Sequence, residues 1–262
     1  MFREFGPLAG STFRVAYDVA PKIGNTLSRQ TIDADARYYL RLGGTGVLAT
    51  RIRGFKSVGD FPDFVYFGGN WEMRGYDYLQ FAGQNVVNAQ AELRFPIIEA
   101  ALTPIGVIGG IRGVFFAGIG AAWFPNQQAA NPCSGEANAF RFSANNSTSC
   151  RVPTGIAIGP DGNPVLGPAD PATGIRPYTL NYQTQNVSGF RLQDGRASYG
   201  LGLETFALGF PIHFDWSWRT LMNTSWEDVV FGCTTLDPRG QCISSASDWR
   251  KPRFAVWIGY DF

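Results

Sequence analysis

Between Val87 and Phe95 the chain alternates without a break. Val87, Ala89, Ala91, Leu93 and Phe95 fall on one side of an extended strand, and Asn88, Gln90, Glu92 and Arg94 on the other. A period of two marks a β-strand whose two faces meet different surroundings. Seven further segments behave alike. Phe13, Val15, Tyr17 and Val19 oppose Arg14 and Asp18 within 11–20. Ile32, Ala34, Ala36, Tyr38, Leu40 and Leu42 oppose Asp33, Asp35, Arg37 and Arg41 within 31–42, and, more weakly, Leu48 and Ile52 oppose Arg51 and Arg53 within 45–54. Residues 111–123, 195–207 and 212–218 repeat the pattern, the last setting Ile212, Phe214, Trp216 and Trp218 against His213, Asp215 and Ser217. The chain ends with Phe254, Val256, Ile258, Tyr260 and Phe262 against Arg253, Trp257 and Asp261.

Eight such segments, each roughly 9–13 residues long, have the length that crosses a bilayer at a tilt. Their connections alternate in length. Residues 43–44, 96–106 and 208–210 are short or compact; residues 21–29, 56–83, 124–194 and 219–252 are long. Short turns on one side and long loops on the other is the pattern of an outer-membrane barrel, with the C-terminus on the short-turn side.

A spanning helix is the competing way to cross. Its best candidate, Ala101 to Trp123, carries Arg112 and six glycines from Gly106 to Gly120. Each glycine costs a helix interior about 1 kcal/mol, and a charge at mid-bilayer about 2.5–3.5 kcal/mol more. Without spanning helices, only a closed barrel satisfies every backbone polar group in lipid. Composition agrees: charged residues are 16% and aromatic residues 15% of the 262, with 32 glycines, against roughly 25% charged in soluble domains. The net charge of +1 gives no electrostatic reason to expect nucleic acid as a partner.

The four cysteines form two local pairs in polar stretches, Cys133 with Cys150 and Cys233 with Cys242. They read as disulfides of an oxidising compartment, or as free thiols. Neither pair has zinc spacing and the chain has one histidine, so no metal is expected. That residue, His213, lies two positions from Asp215, but no G-x-S-x-G nucleophile motif and no phosphate-binding loop accompany it, so neither an enzyme nor a cofactor is expected. The 124–194 stretch reads as an extracellular cap pinned by Cys133–Cys150, or as a disordered loop. Residues Met1 to Phe5 show no basic stretch followed by an apolar run, so an exported barrel is expected to belong to a longer chain.

The segment Gly68-Gly69-Asn70-Trp71-Glu72-Met73-Arg74-Gly75-Tyr76 resembles the G-G-x-x-x-x-R-G-Y/F motif of the BamA/TamA-type insertase superfamily, the bacterial surface antigen family. Ala91-Glu92-Leu93-Arg94-Phe95-Pro96 is similar to that family's next strand. Gly113-Val114-Phe115-Phe116 with Trp123, Tyr199 to Glu204, His213 to Trp216, and Phe254 to Phe262 follow in the family's order. The resemblance implies an all-β antiparallel transmembrane barrel occupying 1–262, the last eight of sixteen strands, integral to the bacterial outer membrane. The loops 56–83, 124–194 and 219–252 would be extracellular. It implies a non-enzymatic role in assembly, insertion or translocation of outer-membrane proteins. The partners would be outer-membrane lipid and lipopolysaccharide, unfolded outer-membrane protein clients and the assembly machinery.

By the same resemblance the Arg74-Gly75-Tyr76 loop folds into the lumen, and Ile258, Tyr260 and Phe262 form the C-terminal assembly signal. Where the family often carries an aspartate, this chain has Gly118. Glu92 is then the expected partner of Arg74, the alternative being a solvated Arg74. Other roles that remain are a membrane anchor for a larger surface or periplasmic protein, and a small stand-alone pore.

Overall fold

The computed structural model describes all residues except 1, 4–5, 45, 104–105, 126–132, 134–146, 193–194, 208–209, 237–241 and 260–262. Only the backbone is described at 2–3, 99–103, 106–109, 207, 234–236 and 242–244. The protein is built on one antiparallel sheet of eight strands. In chain order these are β1 (Gly10–Ala20), β2 (Arg29–Leu42), β3 (Gly46–Gly59), β4 (Asn85–Thr103), β5 (Gly106–Trp123), β6 (Arg196–Ala207), β7 (Phe210–Thr220) and β8 (Arg253–Ile258). Each pairs with its sequence neighbour, so the sheet is an up-and-down meander with β1 and β8 at its free edges. Among the described residues those edges do not pair with each other.

Register carries one face intact across all eight strands. Phe13 lies opposite Ala36, Ala36 opposite Ile52, Ile52 opposite Ala89 and Ala89 opposite Ile119. Farther along, Phe115 lies opposite Leu201, Leu201 opposite Trp216 and Trp216 opposite Phe254. A slip of one residue on any strand would throw its apolar set to the other side. This face is apolar and exposed: Phe13 is 74% accessible, Ile52 62%, Phe115 53% and Ile258 62%. Over β4 to β7 the opposite face is charged and buried, with Arg94, Glu204 and His213 at 0%, while Arg14 and Asp18 of β1 stand exposed. That inverts a water-soluble fold, where large apolar side chains are covered and charges exposed. It is the arrangement of a wall with hydrocarbon outside and a polar interior.

The tight reversal from β2 to β3 uses Gly43 and Gly44, both at positive φ (58° and 25°), a conformation glycine adopts without steric cost. The β4–β5 connection departs from the sequence reading. Instead of a compact segment over 96–106, β4 continues to Thr103 and β5 begins at Gly106. Pro96 does not end the strand, because the register shifts between Pro96 and Ile98 and such an irregularity spares the ladder the missing N–H.

The long connections are structured. Residues 60–84 contain the small hairpin Val65–Phe67 with Phe81–Gly83. Between β5 and β6 stands a second hairpin, Thr148–Ile156 with Leu180–Val187, so the described part of this segment is a folded cap. The final connection holds α1 (Thr224–Val230), α2 (Ala246–Arg250) and a short hairpin between them, Cys233–Leu236 with Cys242–Ser245. Asn223 caps α1 by accepting from the backbone of Ser225 and Trp226, and Ser245 opens α2 with a reciprocal cap to Asp248. Among the described residues no helix is long and apolar enough to cross a membrane.

The candidate lumen lock

On the inner face three rows of side chains run across β4 to β8. One joins Arg112, Glu204, His213 and Trp257. The next joins Arg94, Val114, Gly202, Asp215 and Ala255, and the third joins Glu92, Phe116, Gly200, Ser217 and Arg253. Strands stand about 4.8 Å apart, so carboxylates on β4 and β7 are separated by two whole strands. The loop between β3 and β4 places Arg74 across that gap. Its Nη2 donates to Glu92 Oε1 at 2.6 Å, and its Nη1 lies 3.3 Å from Asp215 Oδ1. The guanidinium passes over the Phe116 ring, 4.6 Å from its centroid. Both carboxylates and Arg74 are buried.

Two glycines of β6 make the crossing possible. A Cβ on Gly200 would strike the Phe116 ring, and one on Gly202 would strike the Asp215 carboxylate. Each carboxylate is held from its second oxygen. Glu92 Oε2 accepts from Arg94 at 2.6 and 2.9 Å, and Asp215 Oδ2 accepts from Trp257 Nε1 at 2.7 Å. Charge-assisted, multiply held pairs of this kind are the strong class of hydrogen bond, and their burial makes the loss of either partner costly.

The rest of the loop is fixed around Arg74. Gly68 and Gly69 take positive φ (130° and 86°) and start a turn in which Met73 N–H donates to the Gly69 carbonyl at 2.8 Å. Glu72 accepts from Arg53 at 2.6 Å and from the Gly68 N–H at 3.0 Å. Asn88 and Gln90 of β4 donate to the Glu72 carbonyl. Gly75, at φ 89°, sits against Ser217, where a Cβ would come within 3.1 Å. Tyr76 donates its phenol to the Ala197 carbonyl of β6 at 3.1 Å, and burial pushes that phenol above its usual range, so it stays a neutral donor. Arg253 of β8 donates to the Gly75 carbonyl at 3.2 Å and to Asp77 at 2.7 Å. Phe67, Met73 and Tyr76 pack with Phe55, Val86 and Ala122 into a small apolar core inside the wall. The loop thus touches every strand from β3 to β8.

A family model, the Omp85 superfamily domain, matches residues 3–229. The chain belongs to the Omp85 superfamily. No curated protein and no solved structure matches it. Omp85 proteins are, broadly, outer-membrane proteins of insertion and transport, and an all-β, eight-stranded antiparallel sheet without a spanning helix fits that family.

Of the residues singled out in the sequence, Arg74, Gly75, Tyr76 and Glu92 come together in one place. Asp215 was assigned to the polar face but not to Arg74, and it takes the second position beside the guanidinium in a wall that has Gly118 on β5. The histidine–aspartate pair does not assemble a catalytic arrangement. His213 stacks on Trp257 with ring centroids 3.7 Å apart, its Nε2 bonds the Gly259 carbonyl at 2.7 Å, and its Nδ1 lies 3.3 Å from Glu204 rather than beside Asp215. Ile258 ends β8 on the exposed face, whereas Tyr260 and Phe262 lie outside the described residues. Cys133 and Cys150 form a disulfide that closes a 17-residue separation. Cys150 is buried with Val187 of the cap hairpin and Trp226 and Val229 of α1. Cys233 is also disulfide-bonded, while the side chain of Cys242 lies outside the described residues.

Proposed function

We propose that this chain forms part of the wall of an outer-membrane barrel that inserts or translocates other outer-membrane proteins, in the manner of the BamA/TamA branch of Omp85. The observation that carries this reading is Arg74 bound to both Glu92 and Asp215 inside a sheet whose outer face is apolar. A pore needs its lumen open; here the charge pairs of Arg74 hold the loop against the inner face, and among the described residues β8 ends the sheet with no strand beyond it. An unpaired edge is the surface on which an incoming strand adds by β-augmentation.

In this role the partners are unfolded outer-membrane proteins, the assembly machinery and the lipids of the outer membrane, lipopolysaccharide among them. The cap hairpin, α1 and α2 stand outside the cell, and Ile258, Tyr260 and Phe262 serve as the chain's own assembly signal. The test is a folding assay in phospholipid vesicles carrying the full chain, in which a urea-unfolded outer-membrane barrel is added and its heat-resistant band followed with time. Faster folding than in empty vesicles is the expected result. Equal rates, with the chain itself inserted, would overturn the insertase role.

A further inference from the structure

Among the described residues, Arg219 beside the lumen lock makes no ion pair with a carboxylate. Arg37, Arg51, Arg53, Arg74, Arg94 and Arg112 each meet a carboxylate. Arg219, near the end of β7, is partly buried, and none of the ion pairs among the described residues includes it. Of its donors only Nη2 is used, to the Trp249 carbonyl at 2.7 Å, while Nε is buried without a partner among the described residues. Its guanidinium lies 5.1 Å from the centre of the Trp249 ring, which stacks on Phe231. A buried charge-bearing donor left unpaired is costly unless something supplies the acceptor.

Arg219 lines a cleft of about 420 Å³ between the end of β7 and helices α1 and α2. Arg250 of α2 also lines it, its guanidinium held by Asp228 at 2.7 Å, which leaves Arg219 as the donor without a carboxylate partner among the described residues. The carboxylate in the cleft, Glu227, is already engaged: Oε1 accepts from Thr220 and the Leu221 N–H, and Oε2 lies 3.6 Å from Arg250. Arg219 stands on the inner face, opposite Ser198, and the cleft runs from it around the rim of the sheet to the outside of the wall. Tyr199 lines it, stands 51% exposed on the apolar face, and stacks on Trp218 with centroids 6.0 Å apart. Met222, 55% exposed at positive φ (63°), also lines it. Stacked Tyr and Trp at the end of an apolar band mark the membrane interface, and a guanidinium fork suits phosphate oxygens.

We propose that this cleft binds the phosphate of an outer-leaflet glycolipid headgroup, with Arg219 as the principal donor and Tyr199 and Met222 against the start of the lipid chain. A lipid is favoured over a free anion because the cleft shares its wall with the lipid-facing surface. The inference rests on reading that surface as membrane-embedded.

The test reconstitutes the full chain in phosphatidylcholine vesicles containing either phosphorylated lipid A or the same lipid stripped of its phosphates, and measures lipid retained after detergent extraction by native mass spectrometry. The wild-type chain should retain the phosphorylated form about ten-fold better, the worth of one charge-assisted hydrogen bond. Arg219→Gln should abolish that preference while keeping its heat-resistant band, and Arg219→Lys should restore part of it. Equal retention of the two lipids by the wild type, or an undiminished preference in Arg219→Gln, would overturn the site while leaving membrane insertion standing. Competition by inorganic phosphate with no lipid retained would assign the cleft to a free anion and overturn it too. Failure of the wild type to enter either vesicle would overturn the membrane reading and the site together. The wild-type comparison of the two lipids decides the matter even where Arg219→Gln does not fold.

Discussion

The carboxylate of Asp215 lies over the bare Cα of Gly202, its direct neighbour on β6. This is what lets an aspartate on β7 lean toward β4 and meet an arginine that Glu92 holds from the far side. The lock is therefore a property of the space left on β6 as much as of the charges. Gly202→Val should push the carboxylate away and destabilise the folded barrel by about 1–3 kcal/mol, the usual cost of overpacking. By contrast, a Cβ at Gly118 would meet nothing closer than 3.7 Å, so Gly118→Ala should leave stability nearly unchanged. Urea titrations of the two variants in micelles check the pair.

Arg74→Ala removes one partner from two buried carboxylates. The expected loss is about 3–5 kcal/mol, because the acids are left unpaired, and chymotrypsin should then cut at Trp71, Tyr76 or Tyr78. Arg74→Lys should not rescue it, since a single ammonium cannot reach both acids as a planar fork does. Limited proteolysis followed by mass spectrometry reads the outcome.

The Cys133–Cys150 bond ties the cap hairpin to the segment that follows β5. Closing a loop of 17 residues stabilises it by about 3 kcal/mol relative to the open chain. Cys150→Ser should expose the Thr148–Ile156 hairpin to proteases while the heat-resistant barrel band persists, because the eight-stranded ladder does not depend on the cap.

The eight strands were legible in the sequence because each of their faces meets a different medium, and alternation records that medium directly. The same rule placed Asp215 and Trp257 on the inner face. It did not reveal that Asp215 answers Arg74: parity gives the side of the sheet and is silent on reach across two strands. The spacing of Gly200 and Gly202, both inward and both bare, was the available sign that something large crosses β6. The helices α1 and α2 were not foreseen, being seven and five residues long and too short for a 3.6-residue period to show. Only their caps, Asn223 and Ser245, left a trace. The compact connection expected over 96–106 is strand up to Thr103, because the register shift at Pro96–Ile98 lets β4 run on past the proline.

Reversing the polarity of the outer face should prevent assembly. Phe115→Arg places a charge on the exposed apolar surface of β5, where about 2–4 kcal/mol is lost near the bilayer midplane. Folding into vesicles should fail or slow sharply, whereas Phe115→Leu should fold as the wild type does. The yield of heat-resistant band in each case is the readout.

The central claim is that Trp216 faces hydrocarbon while Trp257, on the neighbouring strand, faces the lumen beside Asp215 and His213. Two variants that each retain just one of these tryptophans, folded into vesicles of lipids brominated along their acyl chains, test it by fluorescence quenching. The account predicts strong quenching of Trp216 and little of Trp257. Equal quenching of both, or none of Trp216 in a folded chain, would contradict it.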